Sequence, residues 1–158
     1  NLGEDQLPDR QNVEDKFTYL SELPNSSVAG ICASLQMDIG ELDESERGEF
    51  MKELGLSQSA SDVIINKSFD LLGMISFLTG NEHEVHSWPV RQGICAHDAA
   101  GEVHSDMKRG FIKAEVVAFD DLDRLGSWSK TRDEGKLHLH GKDYIVQDGD
   151  VILFRFNV

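Results

Sequence analysis

The chain has 158 residues, 39% of them apolar and 28% charged, and carries a formal net charge of −14. That length and balance give a globular chain able to bury a real core in one or two domains, and they exclude a disordered polar tail. They also exclude a broadly basic surface for nucleic acid, because an acidic chain repels polyanions at long range and must contact them through a local basic patch.

The charge is uneven. Residues 1–79 hold 15 acids and 5 bases, whereas residues 80–158 hold 14 acids and 10 bases. Only the second half can supply such a patch. No run approaches the ~20 apolar residues needed to span a bilayer. Cys32 and Cys95 stand far apart, with no disulfide or metal spacing, so a reduced, cytoplasmic setting is expected.

In chain order, residues 5–26 read as loop then helix, with Val13, Phe17 and Leu20 near helical spacing and Pro24 ending it. "SVAGICAS" reads as a short buried parallel strand running into a loop. "ELDESERGEFMKELGL" reads as a helix, with Asp43 and Glu46 as a capping box, Phe50, Met51 and Leu54 as its apolar stripe and Gly55 at its end. A second helix is predicted through "SASDVIINKSFDLLGMISFL", capped by Ser59 and Asp62, with Ile65, Phe69, Leu72 and Ile75 on one core-facing side.

Beyond Gly80 the texture changes. "EVHSWPV" reads as a strand, "AHDAAGEVHSDMKRG" as a short helix stopped by Gly110, and "FIKAEVVAF" as a strand. "DDLDRLGSWSKTRDEG" reads as helix and loop. "KLHLHGKDYIVQDGDVILFRFNV" reads as short strands around the turns Gly141-Lys142 and Asp148-Gly149. This order predicts a small α+β sheet with a helix across one face, in a domain of residues 80–158 that follows a unit of residues 1–79.

A phosphate-binding loop needs G-x-x-x-x-G-K-[ST], so that backbone N–H groups cradle phosphates and a hydroxyl reaches Mg²⁺. The nearest stretch, Gly135 to Gly141-Lys142, has five residues between the glycines and Asp143 where Ser or Thr is required. His138 and His140 share one strand face, and His83 and His86 form another pair, but neither pair has a third ligand at short spacing. The bases Arg91, Lys108, Arg109 and Lys113 are candidates for a docking patch. Against that reading, Lys108 and Arg109 at a helix end also complement the helix dipole.

"AAGEVHSDMKRGFIKAEV" and "GKDYIVQDGDVILFRFNV" resemble the C-terminal TGS domain of the YchF family, Obg-related and ribosome-associated ATPases and GTPases. The resemblance implies a β-grasp, ubiquitin-like fold for residues 80–158. It implies that helices and a remnant of an α/β P-loop NTPase domain precede it. In that family the guanine-reading N-K-x-D becomes N-x-x-E, which Asn1 and Glu4 match, with Leu2 beside Asn1. "ICAS" matches the last nucleotide loop, usually S-A-K: Ala33 fits, whereas Cys32 for Ser and Ser34 for Lys depart from it.

The altered motif has a physical logic. An Asp accepts from the N1 and N2 hydrogens of guanine; adenine lacks that pair and offers its N6 amine. A longer Glu misplaces the acceptor and weakens guanine preference. The resemblance therefore implies nucleotide-base contacts from Asn1, Leu2, Glu4, Cys32, Ala33 and Ser34. It implies ATP or GTP with Mg²⁺ as the family's cofactors, with the phosphate loop and Mg²⁺-binding residues upstream of this stretch. Phosphoryl transfer depends on those groups, so the stretch alone is expected neither to hydrolyse nor to hold nucleotide tightly. The ribosome or ribosomal RNA is the expected partner, with docking through Arg91, Lys108, Arg109 and Lys113, and no membrane. The alternative is a free-standing TGS-type module that binds RNA or protein and has no nucleotide role.

Overall fold

A computed structural model describes residues 1–80 and 84–157. His83, one member of the second histidine pair, lies outside the described residues. The backbone divides into two units, Asn1–Leu72 and Gly73–Val158, each described by itself.

The first unit is helical. A 3₁₀ turn over Glu4–Asp9 leads into α1 (Arg10–Asp15), and a second 3₁₀ turn covers Thr18–Glu22. Of the three apolar residues at helical spacing here, Val13 packs on the core, whereas Phe17 and Leu20 are exposed. The strand expected in "SVAGICAS" does not form. Its extended part makes a backbone bond with Leu2, whose N–H donates to Ile31 O at 2.7 Å, and Ala33 already opens α2 (Ala33–Glu41). A strand persists only with a ladder partner, and one bond is not a ladder.

Helix α3 (Glu44–Glu53) begins after Asp43 as expected, but the Asp43 side chain makes no capping bond. Its C-terminal end is more fully built. Gly55 N–H donates to Lys52 O at 3.0 Å and Leu56 N–H to Met51 O at 2.8 Å, the paired bonds of a Schellman motif. Met51 and Leu56, brought together by that turn, pack with Phe50 on a core of Leu2, Cys32, Leu35 and Ile39.

Helix α4 (Ala60–Leu72) is shorter than its periodicity predicts. The expected cap is present: Ser59 Oγ accepts from Asp62 N–H at 3.1 Å, and Asp62 accepts in return from Ser59 N–H at 3.2 Å. The expected core stripe is not, because Ile65 is 53% and Leu72 64% exposed. The fourth member, Ile75, is buried in a strand. Gly73 ends the helix in the left-handed conformation (φ +61°), which a side chain resists. The texture therefore changes at Gly73, before the expected 79/80 position.

The second unit is a five-stranded sheet in the order β2-β1-β5-β3-β4. Strand β1 (Met74–Gly80) pairs antiparallel with the edge strand β2 (Val85–Arg91) and parallel with β5 (Asp150–Phe156). Strand β3 (Phe111–Ala118) lies antiparallel between β5 and β4 (His138–His140). This order, with a helix between β2 and β3, is the β-grasp fold, and the chain as a whole is α+β.

Helix α5 (Ala96–Val103) crosses one sheet face with Ala96, Ala99 and Ala100 fully buried. Small side chains at positions i, i+3 and i+4 let the helix approach closely and fill the space over Ile75, Phe77, Val116, Ile152 and Phe154. The single helix expected up to Gly110 is broken at His104, where the backbone is extended (φ −162°). His104 Nδ1 then accepts from Asp106 N–H at 3.1 Å and caps α6 (Ser105–Arg109). Helices α7 (Phe119–Leu125) and α8 (Trp128–Asp133) follow β3.

Candidate functional site

In the first unit the two loops matched to nucleotide motifs meet, though some 30 residues separate them. Ala33 N–H donates to Asn1 Oδ1 at 3.0 Å, and Ser34 Oγ donates to Glu4 at 3.3 Å. Gly3 N–H donates to Gln6 Oε1 at 2.9 Å and fixes the loop's exit. Asn1, Glu4, Ala33 and Ser34 are exposed, whereas Leu2 and Cys32 are only 6% and 3% exposed and belong to the core. Four of the six expected base-contacting residues thus form an outward edge, and two anchor it from beneath.

The bonds leave usable chemistry. With its oxygen engaged, the Asn1 amide still has two N–H groups to donate to ring nitrogens of a base. Glu4 keeps a second carboxylate oxygen, which suits an exocyclic amine. Ser34, standing where the usual motif has Lys, provides the hydroxyl that holds Glu4. The donor set therefore fits a nucleobase. The cavity on the inner side, beside Gly30, Ile31 and Cys32, holds about 20 Å³, too little for a base.

In the second unit the four expected docking bases are dispersed. Arg91 ends the edge strand β2. Lys108 bonds Asp98 at 2.9 Å and Arg109 bonds Asp106 at 2.8 Å, both on the helical side of the sheet. The Lys108 ammonium holds the Asp98 carboxyl below its ordinary range. These two bases are neutralised one for one.

Lys113 is arranged differently. Ala114 and Val116 face the core under α5, so Lys113 and Glu115 lie on the opposite face of β3. Glu115 is 6% exposed and takes a forked pair of bonds from Arg155, at 3.0 and 3.1 Å. Arg132 of α8 stands 3.8 Å from the same carboxylate and Lys113 3.9 Å. Bonding to Arg155 holds the Glu115 carboxyl below its ordinary range; burial acts the other way and is outweighed. Arg155 was not singled out in the sequence, although the alternation of "ILFRF" against "FIKAEV" carries the signal: a bulge at Ile112 sets Lys113 opposite Arg155.

This network gives a pH-dependent expectation. A depressed carboxyl stabilises the fold above its ordinary range and loses that contribution as pH falls through the folded value. Arg155→Ala should therefore lower the thermal midpoint most at pH 7, with the deficit shrinking at a pH acid enough to protonate Glu115. Melting curves at the two pH values check this; an equal deficit at both would assign Arg155 a packing role instead.

The remaining candidates are quieter. The His138 and His140 rings lie 6.2 Å apart, and His140 stacks on Tyr144 at 3.8 Å. Burial, helped by the bond to Asp150, holds the Tyr144 phenol well above its ordinary range. Among the described residues no group of three His, Cys, Asp or Glu is placed to hold a metal ion. Trp88 packs on the core and donates from Nε1 to Thr79 at 2.8 Å. No helix among the described residues is long and apolar enough to cross a membrane.

Comparison with known proteins bears on both units. The family described as YchF-GTPase_C, protein of unknown function (DUF933), matches residues 74–157. The chain is 41% identical over 160 residues to the "Ribosome-binding ATPase YchF" of Bacillus subtilis (strain 168), covering the whole chain and 44% of that protein. It is 37% identical over 158 residues to the protein of the same name from Escherichia coli O157:H7, covering 43% of it. The solved "Structure of the Schizosaccharomyces pombe YchF GTPase" superposes with a TM-score of 0.72 at 25% identity, over 95% of this chain and 38% of that one. The chain thus spans less than half the length of the curated relatives it matches. The match over the β-grasp unit and the identity sustained through the helical unit establish that the chain belongs to the YchF family.

Proposed function

We propose that this chain corresponds to the C-terminal portion of a ribosome-binding, YchF-type nucleoside triphosphatase, with the base-reading edge in its first unit and a TGS docking domain in its second. The observation that carries the first part is the pair of bonds from Ala33 to Asn1 and from Ser34 to Glu4. They hold an amide and a carboxylate at one exposed edge, which suits the edge of a purine. Glu4, engaged by Ser34, is not free to present both oxygens to the guanine N1 and N2 hydrogens, which favours ATP over GTP.

When bound, the triphosphate with Mg²⁺ supplies the bond that is broken; the residues here contribute base contacts. Base contacts without phosphate contacts give weak affinity, so this polypeptide is expected to bind ATP weakly and not to hydrolyse it. The second part rests on the relatives' names and on the β-grasp unit; of the four bases read from sequence, Lys108 and Arg109 are neutralised by Asp98 and Asp106, which leaves Arg91 and Lys113 for docking. A cytoplasmic location follows from such a partner.

Ribosome co-sedimentation of the chain across a salt series tests the docking reading, with nucleotide binding measured on the same sample. Co-sedimentation that fades as salt rises, with little ATP retained, is the expected result. Absence of co-sedimentation at low salt would overturn docking by this portion. Tight retention of ATP would overturn the assignment of base contacts alone.

A further inference from the structure

We propose that Lys113, Arg132 and Arg155, gathered around the buried Glu115, form a binding site for the RNA phosphate backbone on the sheet face opposite α5. The inference rests on the docking reading and keeps only Lys113 of the four bases read from sequence, joining it to Arg132 and Arg155. Three cations converge on one carboxylate, which leaves two positive charges in excess. Of the other bases read from sequence, Lys108 is paired with Asp98 and Arg109 with Asp106, while Arg91 stands apart at the end of β2.

The arrangement has a cost that stability does not explain. Lys113 and Arg155 are direct cross-strand partners, and like charges opposite one another destabilise a sheet. Glu115 offsets that repulsion and locks the Arg155 guanidinium in place. The charged ends remain accessible: the side chains of Arg132, Arg155 and Lys113 are 63%, 48% and 42% exposed. Leu139, paired with Glu115 across β3 and β4 and 58% exposed, extends the same face.

Guanidinium forks match phosphate geometry, and counterion release from a polyanion gives even a small patch a driving force. On a chain of net charge −14, that local excess is where an RNA strand can approach. Recognition through charge makes the contact independent of base sequence.

The test uses the full chain and a fluorescein-labelled oligouridylate, with anisotropy followed over a KCl series. In Lys113→Gln/Arg132→Gln the Arg155–Glu115 fork is untouched, so the fold should survive, as circular dichroism will check. That variant should lose about tenfold or more in affinity, and its log–log salt slope should fall by about 1.4, two single-strand contacts at about 0.7 each. Leu139→Glu, which touches none of the ion pairs, should weaken binding by added negative charge. Lys108→Gln/Arg109→Gln should leave binding within about twofold, because those bases are already neutralised.

Unchanged binding in the first variant, loss confined to the Lys108/Arg109 variant, or no binding by the parent chain would each overturn the inference. Ribosome co-sedimentation separates this from the docking reading. Sedimentation without oligonucleotide binding keeps docking and removes the phosphate site. Oligonucleotide binding lost in the first variant, without sedimentation, keeps the site and removes ribosomal docking.

Discussion

Phe77→Ala is expected to destabilise the β-grasp unit by about 3–5 kcal/mol, the usual loss for truncating a buried aromatic. Phe77 is fully buried at the middle of β1 and stands edge-on to Phe154 of β5, with ring centroids 6.0 Å apart at 86°. It also lies under α5 with Val116 and Ile152, so the cavity would open where helix and sheet meet. Alanines already fill the helical side and cannot swing in to occupy it. A domain of this kind holds only about 5–15 kcal/mol, so the variant would keep little of its margin. Urea denaturation should show a lower midpoint at an unchanged slope. A loss below about 1 kcal/mol would mean that the core closes over the gap.

Gly110→Ala is expected to cost about 3 kcal/mol, the upper end for overpacking. A Cβ on Gly110 would lie 2.0 Å from Asn157 O and 2.8 Å from Asn157 C, so backbone rather than a flexible side chain stands in the way. The two strands cannot part freely, because Asn157 N–H donates to Gly110 O at 2.9 Å. The C-terminal end of β5 would have to move, and Arg155 lies two residues away. The variant should therefore show both a lower thermal midpoint and weaker oligonucleotide binding. A normal midpoint would show that the strand end shifts at little cost; a low midpoint with normal RNA affinity would place the distortion beyond Arg155.

Gly110 also shows how a correct sequence signal can have a different cause. Read as a helix stop, it does end α6, but its φ of −94° is open to any residue. What requires glycine there is the close pass of Asn157, a residue far along the chain, and no local pattern reports that. Helix α4 shows the converse. Ile65, Phe69, Leu72 and Ile75 keep helical spacing, yet Gly73 and the pairing of Met74–Gly80 with two other strands convert the last of them to sheet.

Sequence by itself determined the family, the α+β class of the second unit, its strands other than β1 and the two short motifs whose loops meet in the first. These are local properties: turn residues, alternation, capping pairs and long matched segments. Only the tertiary structure decided that "SVAGICAS" is not a strand, that Leu2 and Cys32 point inward, and that the expected basic quartet is dispersed. It also decided that Lys113 belongs with Arg132 and Arg155 around Glu115. Strand register and helix placement bring together residues up to 42 positions apart in sequence. Charge excess is a property of that assembled neighbourhood, because each base's effect depends on whether an acid from elsewhere in the chain neutralises it.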